Sequence, residues 1–198
     1  MIDYITYFTL IFIVFFLLIL YLCVIIYSRM QNDSKYLKRL RTANKWSKDY
    51  LNDYLQIVYP KLPNDKSIGV MFDIDDTLVN YYGDPLKDIV EIYKHAKQQG
   101  YKIIIITARS SEYKEHTQRE LKSLGVEYDF LYMRHPDHNY DTFKEEYKQL
   151  IKSEYGIDIV LSLGDQWVDV NGKVSGLGIK LPSIQDENMY IIKRKIEI

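Results

Sequence analysis

Two groups of aspartates stand directly after short apolar runs: Asp73-Ile74-Asp75-Asp76-Thr77, and Gly164-Asp165-Gln166-Trp167-Val168-Asp169. Thr107-Ala108-Arg109 closes a third apolar run and Arg134-His135 a fourth, while Lys144 opens a helical pattern between them. Several carboxylates in one place make a hard, oxygen-rich site of the type Mg²⁺ prefers. Carboxylates approach a phosphate dianion only when a cation offsets their charge. With such a cation, one Asp oxygen can attack phosphorus and hold it as an acyl phosphate. A second carboxyl two residues along, on the same side of the chain, can protonate the leaving oxygen and then activate water. Thr107 and a lysine would bind the equatorial phosphoryl oxygens, where charge spreads in the transition state.

Each residue also has a plainer reading. Asp75 and Asp76 alone would serve as helix caps, Thr107 as a strand-end residue, and Lys144 as surface charge beside Lys148 and Lys152. Asp165 and Asp169, four apart, would repel on a helix unless a cation lay between them. Trp167 reads as a packing residue. His95, His116, His135 and His138 form no ligand spacing with a carboxylate pair. What favours the chemical reading is convergence, and that depends on the elements that carry these residues.

Strands and helices alternate. Strands are expected at Ile68 to Ile74, Lys102 to Thr107, Phe130 to Met133 and Ile157 to Leu163, with a fifth at Gly178 to Leu181. Between them, Leu86, Ile89, Val90, Tyr93 and Ala96 mark a helix stopping at Gly100. Ser110 to Leu124 is helical and ends at Gly125; Phe143, Tyr147, Leu150 and Ile151 define a helix closing at Gly156. The expected fold is an α/β, Rossmann-like three-layer α/β/α domain with a mainly parallel five-stranded sheet. In such a sheet ligands bind beyond the carboxyl ends of the strands, and there all the chemistry-bearing residues fall.

Ahead of this domain, Ile5 to Tyr27 carries no charge. As a helix it would be about 34 Å long, enough for a bilayer core of about 30 Å. Asp3 and the absence of Lys or Arg before the run argue against a cleaved signal. A single transmembrane helix contacting the lipid bilayer through residues 5–27 is therefore expected. Arg29, Lys35, Lys38, Arg39 and Arg41 on its C-terminal flank place the following domain on the cytoplasmic side. Asn32 to Tyr59 reads as a polar helix whose Leu51, Tyr54, Leu55 and Val58 pack on the domain, with Trp46 beginning that contact. Pro60, Pro63 and Asn64-Asp65 then break the pattern. The division is an anchor at 1–28, a helical linker at 29–63 and a domain at 64–198. A net charge of −1 gives no strong nucleic-acid signal, and the single Cys23 excludes an internal disulfide or a thiolate metal site.

Asp73-Ile74-Asp75-Asp76-Thr77-Leu78 after an apolar strand resembles the first motif of the haloacid dehalogenase-like (HAD) superfamily. Ile103 to Thr107 is similar to the second motif, Lys144 to the third, and Gly164-Asp165 through Asp169 to the fourth, spanning Ile68 to Leu181. Gly164-Asp165-Gln166-Trp167, Leu131-Tyr132-Met133-Arg134, Thr142-Phe143-Lys144 and Lys180-Leu181-Pro182 resemble the subfamily IIIB acid phosphatases in particular. The resemblance implies a Mg²⁺-dependent phosphomonoester hydrolase with Asp73 as nucleophile and Asp75 as general acid/base. It implies Thr107 and Lys144 as phosphoryl ligands, and Arg109 and Arg134 as substrate contacts. The metal site would take Asp73, Asp75 through its backbone carbonyl, Asp165 and Asp169, either of the last two being the direct ligand. Only Asn80 to Pro85 separates the first strand from its helix, leaving little or no cap. Two alternatives stand beside this: a polynucleotide 3′-phosphatase, and a catalytically silent membrane-tethered scaffold of the same fold.

Overall fold

The apolar run at the start of the chain lies in helix α1, Tyr4–Val58, in the computed structural model, which describes residues 4–58, 67–183, 186 and 188–192. The chain forms two units, Met1–Lys38 and Arg39–Ile198. In the first, every side chain from Ile11 to Met30 is exposed. Among the described residues this is the one helix long and apolar enough to cross a membrane, with a mean hydropathy of 3.0. A helix apolar on all sides needs cover on all sides, from protein or from lipid. The sequence divides anchor from polar helix, but α1 runs through both, because no Gly or Pro occurs between Tyr4 and Val58 to stop it.

In the second unit, α1 buries Leu40, Ala43, Asn44, Ser47 and Leu51, which recur at helical spacing. Lys48 bridges to Glu91 at 2.9 Å and to Asp88 at 3.3 Å on the next helix. Trp46 does not begin this contact: it is exposed and stacks on Tyr50, with ring centroids 5.0 Å apart. The side chains of Tyr54, Leu55 and Val58, and the break at Pro60, Pro63 and Asn64-Asp65, lie outside the described residues.

The sheet has six strands: β1 Ser67–Phe72, β2 Lys102–Ser110, β3 Phe130–Arg134, β4 Ile157–Gly164, β5 Leu177–Lys180 and β6 Tyr190–Ile192. Their order is β3-β2-β1-β4-β5-β6, parallel except for the β5–β6 pair. The sixth strand corrects the expected five. At three residues, with Tyr190 and Ile191 exposed, β6 has neither the length nor the apolar run that marks a buried strand. Helices α2 (Lys87–Gln98), α3 (Lys114–Ser123) and α4 (Phe143–Tyr155) connect the strands, and a short α5 (Trp167–Val170) follows β4.

Alternation along the central strands explains why both faces are covered. Met71 of β1 joins Ile104, Ile106, Ile157 and Ile159 beneath Phe143 and Ile151 of α4. Phe72 points the other way, its ring 6.4 Å from that of Tyr93 on α2. Near the start of β1 the pairing with β4 shifts register between Gly69 and Val70. A Cβ on Gly69 would lie 2.6 Å from Ile104 Cδ1 and 3.0 Å from Ile157 Cγ2, so side chains from both neighbouring strands fill the room that glycine leaves. Gly69→Ala should therefore overpack the sheet centre. We expect a loss of about 1–3 kcal/mol, read as a Tm lower by roughly 3–10 °C in thermal unfolding of the detergent-solubilised chain. An unchanged Tm would show that Ile104 and Ile157 repack freely.

Candidate active site

The chain runs from β1 outward through β2 to β3, then returns to place β4 on the opposite side of β1. Strand order reverses at the β1–β4 boundary, which opens a crevice at the carboxyl ends of those two strands. Asp73 follows β1 and Asp165 follows β4. The Asp73 N–H donates to the Leu163 carbonyl at 3.0 Å, tying the two ends together. Beyond Asp73 the chain turns on Ile74, whose carbonyl accepts from the N–H groups of Thr77, Leu78 and Val79 at 2.8–3.3 Å. Asp76 takes up the left-handed conformation in this turn, with φ 51°.

Lys144, in the first turn of α4, reaches into the crevice and is almost fully buried. Its Nζ donates to Asp73 Oδ1 at 2.7 Å and to Asp169 Oδ1. Asp169 lies on α5, and its Oδ2 accepts from the Gln166 N–H at 2.7 Å. Asp165 Oδ2 accepts from the Gln166 side-chain amide. One carboxylate oxygen from each of Asp73, Asp165 and Asp169 lies within 4.8 Å of the others, and all three residues are buried. Glycine at 164 is required here, because a Cβ would collide with the Asp169 carboxylate.

Among the described residues, three buried carboxylates thus meet one ammonium. Burial pushes the Asp73 carboxyl up to about 7, against the pull of Lys144 and with the help of Asp169. Burial, then Asp73 and Asp169, push Asp165 up to about 8. Burial works against the Lys144 charge, but Asp169 and Asp73 outweigh it and hold the ammonium above the ordinary lysine range. The cluster lacks positive charge, and a divalent cation is the hard, oxygen-seeking species that fits it. Asp169 has both oxygens engaged, by Lys144 and by the Gln166 N–H, so Asp73 and Asp165 are the better placed to bind such an ion directly.

The remaining sequence candidates divide. Thr107, fully buried, stands two residues past the Phe72–Ile105 pair, at the same carboxyl edge; its Oγ1 accepts from the Arg109 N–H at 3.2 Å. Asp75 lies outside the carboxylate cluster and forms a two-pronged ion pair with Arg109, at 2.6 and 2.9 Å. Glu120 of α3 holds the same guanidinium from the other side. Burial opposes the Arg109 charge, but Asp75 and Glu120 outweigh it and raise its pKa further above its usual range. Arg134 is not brought into the cluster: β3 is separated from β1 by β2, and the Arg134 Nε donates to the Ala108 carbonyl at 3.4 Å.

Sequence reasoning missed two supports of the site. Gln166 orients both Asp165 and Asp169. Lys148 is fully buried and donates to the carbonyls of Asp169 and Asn171 and to Ser175 Oγ, fixing the chain that carries Asp169. Its position one turn after Lys144 was the available signal. Lys152, by contrast, pairs with Asp158 at the surface. A cavity of about 450 Å³ flanks the site, lined by Thr142, Glu145, Trp167, Asn171 and Gly172 among others. Trp167 is half exposed there, with its ring centroid 4.8 Å from that of Tyr190.

Known proteins share this fold. The class C acid phosphatase of Bacillus anthracis has a similar fold, with a TM-score of 0.60 at 17% identity over 73% of this chain and 71% of that one. The same enzyme with tungstate bound gives a TM-score of 0.54 at 16% identity, over 67% and 65% of the two chains. A chain of the Pnkp1/Rnl/Hen1 complex is 26% identical over 55% of this chain, with a TM-score of 0.48, and this chain spans only 42% of its length. No curated protein matches the sequence. The sequence profile of the HAD superfamily, subfamily IIIB (acid phosphatase), matches residues 80–193, more than half of the chain, beginning just after the Asp73–Thr77 turn. By that match the chain belongs to the HAD superfamily, subfamily IIIB, the acid phosphatases, and it is a phosphatase of that family.

Proposed function

We propose that this phosphatase hydrolyses phosphomonoesters with Mg²⁺ through an aspartyl-phosphate on Asp73, and that α1 holds it to a membrane. The observation that carries the reading is the buried triad of Asp73, Asp165 and Asp169 against the single Lys144. Asp73, Asp165 and the backbone carbonyl of Asp75 would hold the ion, with Asp169 fixing Lys144 behind them. When bound, Mg²⁺ would neutralise carboxylate and phosphoryl charge in the crevice.

Asp73 is the nucleophile because it stands at the strand end, buried, with Lys144 orienting one of its oxygens. Lys144 and the Thr107 hydroxyl would hold non-bridging phosphoryl oxygens in place. Asp75 is the exposed carboxyl two residues on, where leaving group and water would arrive. To give a proton to a leaving oxygen it must release Arg109, and the freed guanidinium would then be available to substrate phosphate. The charge-free helix segment, the one of its kind among the described residues, and the cations that follow it support an anchor with the domain, residues 64–198, on the cytoplasmic side.

In detergent, the full chain should release phosphate from a chromogenic monoester only with Mg²⁺, and Asp73→Asn should lower kcat by at least roughly a thousandfold. Equal turnover by both proteins would remove the nucleophile assignment. No turnover by the wild type on any monoester would favour the silent scaffold.

Stability should also depend on pH and metal together. Asp73 and Asp165 have folded pKa values of about 7 and about 8, above the ordinary aspartate value of 3.8. The folded chain therefore binds more protons than the unfolded one across that interval, and the stability this confers is lost as pH rises through those values. Metal-free protein should have a lower Tm near pH 9 than near pH 5, and Mg²⁺ should raise Tm more at the higher pH. A Mg²⁺ effect that is larger at the acid end would contradict the proposed ligand set.

A further inference from the structure

Glu120 belongs to none of the four motifs. It lies on α3 beside Leu121 and one turn after Thr117, both fully buried, so that its side chain leaves from the inward face of the helix. Glu115 and Arg119 of the same helix, by contrast, pair with each other at the surface, 3.7 Å apart. The partner of Glu120 is Arg109, near the carboxyl end of β2 and two residues past Thr107. Arg109 in turn meets Asp75, which stands two residues past Asp73, just beyond the neighbouring strand β1. The chain Glu120–Arg109–Asp75 thus runs from a helix outside the site to the edge of the crevice.

The guanidinium is held on two sides by unlike partners. Nε and Nη2 form the edge that offers two parallel N–H donors to a carboxylate or a phosphate, and they meet Asp75 at 2.9 and 2.6 Å. Nη1 lies on the other side and donates to Glu120. The Asp75 side chain is 59% exposed and that of Glu120 only 23%. The outer partner is therefore a solvent-facing carboxyl on a turn, and the inner one a carboxyl fixed on a helix. An exposed ion pair contributes little and is readily exchanged for another anion. Once Asp75 leaves, a long side chain held at one end only would scatter among its rotamers. Glu120 prevents this without occupying the edge that fits a phosphoryl group.

Resting on the phosphoryl-transfer reading of the site, we propose that Glu120 is a positioning residue for substrate binding. It holds Arg109 by Nη1, so that Nε and Nη2 stay presented to phosphoryl oxygens when Asp75 lets them go. The test is a double-mutant cycle of Glu120→Ala, Arg109→Met and both together, as full chains in detergent with Mg²⁺. The readouts are the affinity for inorganic phosphate, the KM on a small monoester, and Tm. Alanine is the best helix former, so Glu120→Ala keeps α3. Arg109→Met should weaken phosphate roughly tenfold or more, as expected for lost hydrogen bonds to a charged group. Glu120→Ala should weaken it by roughly three- to tenfold, with KM rising in parallel. The double variant should bind no more weakly than Arg109→Met, because Glu120 acts only through the arginine. Wild-type phosphate affinity in either single variant, or losses that simply add, would overturn the proposal. A lower Tm with unchanged affinity in Glu120→Ala would likewise overturn it, by reducing the pair to a tie between β2 and α3. A wild type that binds phosphate but turns over no ester would refute the catalytic reading, while the phosphate affinities would still decide the role of Glu120. A wild type that neither binds phosphate nor turns over ester would overturn both.

Discussion

The site rests on an unbalanced buried charge. Among the described residues, Lys144 is the cation paired with the buried acids: it holds Asp73 and Asp169, with Asp165 beside them, in a place from which water is largely removed. Removing carboxylates from water is costly, and one ammonium offsets only part of that cost. The remainder appears as the raised Asp73 and Asp165 pKa values, a standing preference for protons or for a cation. A stabilising arrangement would have replaced one of these acids with an apolar residue. Keeping all three at the expense of stability is what a site built around a bound cation requires.

The rest of the fold makes that imbalance possible. Asp73 and Asp165 come from neighbouring strands that the chain reaches by opposite routes, so no local segment contains the site. Lys144 arrives from a third element, packed down by Phe143 and Ile151 on the Met71–Ile104 face of the sheet. Asp169 is fixed most completely: Gly164 leaves room for its carboxylate, Gln166 and Lys144 take its two oxygens, and Lys148 holds its backbone from behind. Both of its oxygens are thereby engaged, which sets its surroundings apart from those of Asp165 even though both belong to one sequence motif.

The parallel strands were legible because their apolar runs are continuous; three of the runs lead into Asp73, Thr107 and Gly164-Asp165, and the positions of Asp73, Thr107, Lys144 and Asp165 at one edge followed from that. The sixth strand was not legible, since its three residues pair antiparallel at an exposed border and carry no periodic signal. Trp46 misled because an aromatic on an amphipathic helix suggests burial, whereas the buried stripe runs through small and polar residues at Ala43, Asn44 and Ser47. Arg134 was grouped with the site because it ends a strand, but strand order, which spacing cannot give, sets it two strands away from Asp73. Asp75 was legible as a carboxyl near the site and illegible as the partner of Arg109, since that pair joins residues 34 apart.

Substrate choice in such a site must come from few groups. The segment between β1 and α2 contains a tight turn at Asn80–Asp84, in which the Asn80 side chain accepts from the N–H groups of Tyr82 and Asp84, both at 2.9 Å. Among the described residues, no helix or strand stands between β1 and α2 that could cover a bulky leaving group. Selectivity for the phosphoryl group then depends on donors arranged around it, of which the cluster itself, rich in acceptors, offers few. On the proposed reading, the Arg109 Nε and Nη2 would become available only when Asp75 lets them go, and Asp75 would act on a leaving oxygen only under the same condition. Opening that one ion pair would couple phosphate recognition to proton transfer, so that a ligand without a phosphoryl group would leave the acid/base residue held back by its own arginine.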